Sequence, residues 1–378
     1  MVKFQKALGY DDIGIAPRNV SKQPHRDGDT SVACFGIKLD YPLIASPMPD
    51  VCNGRMAHKL ASIGSMGIIH RFQTIDEQLQ QYKFGDGVLI GTYPINQFKP
   101  NYCACAIGVT GDYQERFIAL YKAGCRAFCL DTANGANIMV EKAIRWIREW
   151  HKNSHPIDEP GLKIPYLPDF VEQVYIIAGN VATGDGYRFL AELPIDAIRV
   201  GISVGSRCTT KNKTGVYVPI VTSILECVEE RQKLWQNALD SDIPTDALTS
   251  MRKMFPLIIA DGGIKEPSDA NKALALGADL VMAGSIFVPY DESPAEIVKY
   301  EGLLYKKYRG AASFGVQKEY TGENPKFSEG DETLIRYERN VSVSKMIVDF
   351  KSGLQSSMSY LNAANLKEYC ENADFVGL

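Results

Sequence analysis

The chain has 378 residues, of which 45% are hydrophobic and 23% charged, and its formal net charge is −4. That balance is ordinary for a water-soluble protein and gives no reason to expect a nucleic acid or an anionic membrane as partner. No apolar run approaches membrane-spanning length, and residues 1–6 do not open a secretory signal.

Short apolar runs alternate with longer helical patterns along the chain. Strands are predicted at 42–46, 67–70, 102–109, 127–131, 174–179, 197–201, 256–261 and 279–284. Helices are predicted between most of them, at 74–83, 112–123, 136–152, 184–193, 217–237 and 268–276. Strands that read as continuous apolar runs are buried on both faces, as in a parallel sheet covered by helices. Eight such units are the number that closes a (β/α)8, or TIM, barrel. A doubly wound open sheet is the alternative α/β fold, but it needs fewer strands, and no Gly-x-Gly-x-x-Gly follows the first one. The whole chain, 1–378, thus reads as one barrel domain.

After the eighth unit the sequence turns polar from about 311 to 344. A long polar excursion inside a compact fold marks a mobile lid or a disordered loop, so a flap is expected at about 314–342. A helical pattern returns at 343–354, and the chain ends in another at 366–370.

Nine cysteines, at 34, 52, 103, 105, 125, 129, 208, 227 and 370, are scattered and odd in number. In a chain of this size they fit free thiols in a reducing compartment, so a cytoplasmic location is expected. Cys103 and Cys105, like Cys125 and Cys129, lack the second pair that a zinc site needs. Strand alternation puts Cys103 and Cys105 on one side, where they serve as core.

The predicted strand ends carry the unusual residues: Ser46-Pro47-Met48, His70-Arg71, Asp131-Thr132-Ala133-Asn134-Gly135, Gly179-Asn180, Asp261-Gly262-Gly263 and Gly284-Ser285. In barrels these ends form the active face, so they point to one composite site. Turn and capping needs alone favour Gly, Asn and Asp there, which accounts for any single loop. They do not account for the sixth loop, Gly201-Ile202-Ser203-Val204-Gly205-Ser206-Arg207-Cys208-Thr209-Thr210. Small residues let its backbone approach a ligand and free main-chain N–H groups for an anion. A sulfur at that point is placed for covalent attack. A half-buried structural cysteine is the plainer reading of such a loop taken alone.

Six stretches in order resemble the IMP dehydrogenase / GMP reductase family, over nearly the whole chain. They are Gly179-Asn180-Val181-Ala182-Thr183, the cysteine loop, Ile259–Ile264, Gly277-Ala278-Asp279 leading to Gly284-Ser285, Tyr308–Ser313 and Gly353–Tyr360. The resemblance implies an NAD(P)-dependent oxidoreductase acting on a purine mononucleotide, assembled as a homotetramer. It makes Cys208 the nucleophile toward purine carbon 2. Backbone amides at Ser206, Gly263, Gly284 and Ser285, with the Tyr308 hydroxyl, would hold the phosphate. Asp261 would accept the ribose hydroxyls. Met48, Gly262, Gly310, Ala311 and Ala312 would complete the substrate pocket, and Ser328 and Gly330 would meet the purine edge. Asp131, Thr132, Ala133, Asn134, Gly135 and Arg71 would face the cofactor. Carbonyls of Gly201, Ser203, Gly205 and Cys208 would hold a monovalent cation, usually potassium.

The family's branches differ in direction. Dehydrogenases oxidise IMP to XMP with NAD, using an arginine–tyrosine pair on the flap to hydrolyse the adduct; reductases expel ammonia from GMP and reduce the same kind of thioimidate adduct with NADPH. Cys208–Gly215, Leu130–Gly135 and Ser328-Glu329-Gly330 resemble the reductase segments, which makes Thr210 and Glu329 the proton-handling pair. An NADPH-dependent GMP reductase of purine salvage is therefore expected. An IMP dehydrogenase without the CBS regulatory insertion is the first alternative, and a non-catalytic purine nucleotide-binding protein the second.

Lys326-Phe327 stands where the dehydrogenase pair would, with Arg336-Tyr337 about ten residues further on. Four other positions depart from the family: Pro49 for aspartate, Arg71 for lysine, Ser203 for glycine and Arg207 for a small apolar residue. An inward Arg207 would favour the Cys208 thiolate and could partly replace the cation. These departures leave room for a modified or deoxy purine nucleotide.

Overall fold

The computed structural model describes residues 6–17, 20–84, 102–154, 173–240 and 255–378. Of the segment weighed against a secretory signal only Lys6 falls among them, and most of the link between the second and third predicted strands lies outside the described residues.

Three short strands, β1 (Ile13–Ile15), β2 (Val32–Cys34) and β3 (Ile37–Leu39), precede the barrel. Its eight strands are β4 (Leu43–Ala45), β5 (Met66–Ile69), β6 (Cys103–Ile107), β7 (Ala127–Asp131), β8 (Tyr175–Val181), β9 (Ala197–Val200), β10 (Leu257–Asp261) and β11 (Leu280–Ala283). All pairings between them are parallel, and β11 closes on β4. These are the eight strands predicted from the sequence, and the fold is a (β/α)8 barrel. The six predicted helices are present too, and among the described residues two more lie between barrel strands, Gly54–Ser62 and Thr210–Thr214, that the pattern did not reveal. Asn53 starts the first of these by accepting the Met56 N–H on its side chain.

Alternation along the strands separates two cores. Ile44, Met66, Ile68, Ala104, Ala106, Cys129, Ile177, Ile259 and Met282 share the cluster inside the barrel. Cys103, Cys105 and Ile107 face the other way, into the layer between strands and helices. The two cysteines are core residues on one side of a strand, and all nine thiols are free.

The floor of the barrel is closed by the β2–β3 hairpin. Its two-residue turn, Phe35-Gly36, has positive φ at both positions, 48° and 69°, the twist that a tight hairpin needs. Cys34, Phe35 and Leu39 join the interior cluster, and the Phe35 ring meets Tyr175 edge-on at 6.1 Å.

Beyond the barrel, β12 (Ile297–Tyr300), β13 (Leu303–Arg309) and β14 (Glu332–Arg336) form an antiparallel sheet. Residues 311–344 are thus not the structureless excursion that their polarity predicts. They include the helix Phe314–Thr321, capped by Ser313, and the whole of β14. The polarity arises because both elements lie on the surface, as the alternating exposure of β14 shows. Helices Val343–Tyr360 and Leu366–Glu371 follow, and β15 (Phe375–Gly377) pairs with β1. Among the described residues no helix is long and apolar enough to cross a membrane.

The turn after β9 is closely packed against the next strand end. Gly201 has φ 137°, and a Cβ there would sit 2.3 Å from the Asp261 carbonyl oxygen. A Gly201→Ala variant should therefore lose about 2 kcal/mol or more. A lowered urea midpoint reports that loss, and an unchanged midpoint would contradict it.

Candidate active site

The same alternation that turns Cys129, Ala197 and Ile259 inward continues to the next inward positions, Asp131, Arg199 and Asp261. The top layer of the barrel interior is thus ionic. Arg199 is 7% exposed. Its Nε donates to Asp261 Oδ2 at 2.9 Å, with Nη2 2.8 Å from the same oxygen, and its Nη1 donates to Asp131 Oδ1 at 2.9 Å. Arg71, at the end of β5, adds a second cation 3.3 Å from Asp131 Oδ2. Burial pushes the Asp131 carboxyl up, but the two guanidinium groups outweigh it and hold the group below the usual aspartate range. Asn180 Nδ2 donates to both Asp261 Oδ2 and the Gly201 carbonyl, each at 2.8 Å. Asp261 Oδ2 is therefore engaged within the protein, and among the described residues Oδ1 is the oxygen that faces no such partner.

The cysteine loop is stacked on the Asp261 turn. Gly262 and Gly263 have φ of 99° and 76°, and a Cβ on Gly262 would come within 2.7 Å of the Val204 side chain. Ser203 keeps a left-handed φ of 63° and donates its hydroxyl to the Val216 carbonyl at 3.0 Å. Cys208 Sγ lies 3.2 Å from Thr210 Oγ1, which donates to Glu329 Oε2 at 2.5 Å. Thr210 is the first residue of a short helix, Thr210–Thr214, yet its hydroxyl turns to the carboxylate rather than capping the helix.

Backbone bonds hold that carboxylate in place. Thr209 N–H donates to the Glu329 carbonyl at 2.9 Å, Glu329 N–H to Ala312 at 3.0 Å and Asp331 N–H to Arg207 at 3.1 Å. Three segments, around Arg207, Gly310 and Gly330, lie edge to edge. They fit because two glycines lack side chains: a Cβ on Gly310 would be 2.7 Å from the Arg207 carbonyl, and one on Gly330 2.8 Å from Ser313 N. Ala311 is half-buried in this stack. The Lys213 ammonium adds a bond to the Ser328 carbonyl. Arg207 Nη1 pairs with Asp331 at 3.5 Å.

A third group converges on Tyr308, which is 3% exposed. Burial pushes its phenol up, while a bond with Ser206 opposes the shift. Its hydroxyl lies 3.6 Å from Met48 Sδ, and a Cβ on Gly284 would be 2.8 Å from that hydroxyl. Ser285 opens the turn that follows. Pro49 leaves the first loop in shape because Asp50 anchors it, receiving the Arg309 N–H at 2.8 Å and its guanidinium at 2.7 and 2.9 Å.

On the Asp131 side, Thr132 and Gly135 fix their loop to β8. Thr132 Oγ1 donates to the Gly179 carbonyl at 2.6 Å and Gly135 N–H to that of Asn180 at 2.7 Å. Ala133 and Asn134 are left exposed at the rim. Phe72, stacked under the Arg71 guanidinium, meets Tyr320 of the helix Phe314–Thr321 at 5.7 Å.

Of the carbonyls assigned to a cation, Gly201 accepts from Asn180 at 2.8 Å and Gly205 from the Cys208 N–H at 3.0 Å. Arg336 and Tyr337 are fixed in the small sheet: Tyr337 is buried and donates to Asp291 at 2.6 Å, and Arg336 lies over the Tyr305 ring. Sequence reasoning gave no role to Arg199, Asn180 or the Asp50–Arg309 pair. A charge inside the apolar run Ala197–Val200 was the signal for the first.

Residues 7–158 and 163–378 match the family model described as the IMP dehydrogenase / GMP reductase domain. The chain is 30% identical over 368 residues to the GMP reductase of Chromobacterium violaceum, covering 97% of this chain and 96% of that protein. It is also 35% identical over 283 residues to the inosine-5'-monophosphate dehydrogenase of Streptococcus pyogenes, covering 72% of this chain but only 49% of the dehydrogenase. The dehydrogenase of Chlorobaculum parvum matches at 35% over 281 residues, with the same coverage. The chain thus spans about half the length of these dehydrogenases.

Because the Asp131 carboxyl is held low, its contribution to stability is full above the ordinary aspartate pKa and is lost as pH falls through the lower folded value. Arg199→Leu would leave two buried carboxylates without their shared cation and should cost about 3–5 kcal/mol near neutral pH. The deficit should shrink in mild acid, where the stranded carboxyls can protonate. Urea titrations at about pH 8 and pH 5 test this, and an equal deficit at both would contradict it.

Proposed function

The chain belongs to the IMP dehydrogenase / GMP reductase family, NAD(P)-dependent oxidoreductases acting on purine nucleotides, and from that premise we propose that it is a GMP reductase. The observation that carries this reading is the chain from Cys208 Sγ through Thr210 Oγ1 to Glu329 Oε2, at 3.2 and 2.5 Å. A carboxylate reaching the sulfur through one hydroxyl can move a proton between a leaving amine and the protein.

In this reading GMP lies with its phosphate at Ser206, Gly263, Gly284, Ser285 and Tyr308, its ribose at Asp261 Oδ1 and its purine edge at Ser328 and Gly330. The Cys208 thiol gives its proton through Thr210 to Glu329 as the sulfur adds to carbon 2 of the base. Glu329 returns that proton through Thr210 to the exocyclic amine, which leaves as ammonia while the carbon–sulfur bond is kept as a thioimidate. Bound NADPH would supply the hydride that carbon 2 needs before the sulfur departs and IMP is released. Arg71 and the loop Asp131–Gly135 would hold that cofactor, with Thr132 and Gly135 fixing the loop to β8 and Ala133 and Asn134 exposed at its rim. The segment 314–342 acts as the flap and keeps water from the thioimidate, because hydrolysis would divert it to XMP. No step here needs a potassium ion.

The 35% matches favour a second reading, an IMP dehydrogenase. Against it, Arg336-Tyr337 is anchored to Asp291 and Tyr305 instead of lying over the sulfur, and Lys326-Phe327 offers no hydroxyl to activate water.

Absorbance at the nicotinamide band separates the two readings. GMP with NADPH should be consumed and IMP with NAD should give little or no NADH; the reverse result would assign the dehydrogenase. Glu329→Gln should slow GMP turnover about a hundredfold or more with little change in KM, and Cys208→Ser about a thousandfold or more. Parental rates in either variant would refute the roles given to these residues.

A further inference from the structure

A cavity of about 370 Å³ lies between the small sheet and the start of the helix Gly54–Ser62, and no residue placed above at the sulfur, the phosphate cradle or the cofactor loop lines it. Three cations face it: Arg55, Lys306 and Arg339. Two acids line it as well, but both are committed. Asp291 accepts the Tyr337 hydroxyl at 2.6 Å. Glu292 caps the helix Val343–Tyr360, accepting from Ser342 Oγ at 2.5 Å and Val343 N–H at 2.9 Å.

Lys306 is 2% exposed and donates to the carbonyls of Tyr290 and Ser293 at 2.5 and 2.8 Å, with its ammonium 4.8 Å over the Tyr337 ring. Burial pushes its amine down to about 8, and Arg55 adds to that shift. Arg55 and Arg339 have no carboxylate partner among the described residues, so both guanidinium forks are open. Ile297, Pro294 and the Tyr337 ring supply an apolar wall.

Open guanidinium forks match phosphate oxygens two at a time, and a cavity of this size suits a nucleotide-sized ligand. We propose that this cavity is a second binding site, taking a phosphorylated small molecule of nucleotide size with its phosphates on Arg55 and Arg339 and its ring against Ile297 and Tyr337. An occupant would also be felt at the phosphate cradle. Ser293 donates its hydroxyl to the Asp50 carbonyl at 2.8 Å, and Asp50 clamps Arg309, the neighbour of Tyr308. Lys306 and Tyr308 project from the same face of β13.

Isothermal titration calorimetry with ATP as the probe tests the site on the whole protein. Saturable binding is expected, weakened tenfold or more in both Arg55→Ala and Arg339→Ala. Both side chains are exposed and neither touches the residues around Cys208, so these variants should keep the parental fold and turnover. Inorganic pyrophosphate should compete with ATP. Absence of saturable binding, or equal ATP affinity in the parent and both variants, would overturn the proposal. Because the readout is binding, either result leaves the reductase assignment to its own assay.

Discussion

One guanidinium between two carboxylates organises the working end of this barrel. Arg199 rises from β9 into the layer above an otherwise apolar interior, and Asp131 and Asp261 meet it from β7 and β10. Ions so deep are tolerable only in mutual contact. That requirement ties together three strand ends, and through them the Asp131 loop, the cysteine turn and the Asp261 turn. Asn180 extends the network from β8 by joining Asp261 to the Gly201 carbonyl. The rim is therefore set before any ligand arrives.

A second device brings Glu329 to the sulfur. The carboxylate lies 121 residues beyond Cys208 along the chain, and no local preference could hold it there. Backbone bonding between three segments does so, and Gly310 and Gly330 permit the close approach. A side chain on either glycine would push the segments apart and open the Thr210–Glu329 bond. In the proposed reaction this rigidity matters more than charge, because a proton relay works only over hydrogen-bond distances.

The barrel was legible in the sequence because its strands are buried on both faces and read as apolar runs, and because each helix between them repeats a 3.6-residue pattern. The helix Gly54–Ser62 was missed although its signals were present: Asn53 caps it, and Met56, Ala57 and Leu60 fall on one buried face. Composition misjudged the stretch 311–344. Surface elements such as β14 and the helix Phe314–Thr321 are polar without being irregular. At the site, the convergence of Cys208, Thr210 and Glu329 was readable through the family resemblance alone, since they are distant in sequence. Arg199 could have been found by following inward alternation up β9, where arginine is the one charge in an apolar strand. The direction taken by Arg207, toward Asp331, depends on a partner supplied by a distant segment and had no local signal.

What this account asserts above all is that a nucleotide bound at the rim presents its purine to a reactive thiol. Intact-protein mass spectrometry after exposure to 6-chloropurine riboside monophosphate examines that contact directly, because a thiolate held against the ring displaces chloride and stays attached. The account predicts a single nucleotide added per chain, located on Cys208 by peptide mapping and suppressed by excess GMP. An unmodified protein, or labelling spread over other cysteines, would contradict it.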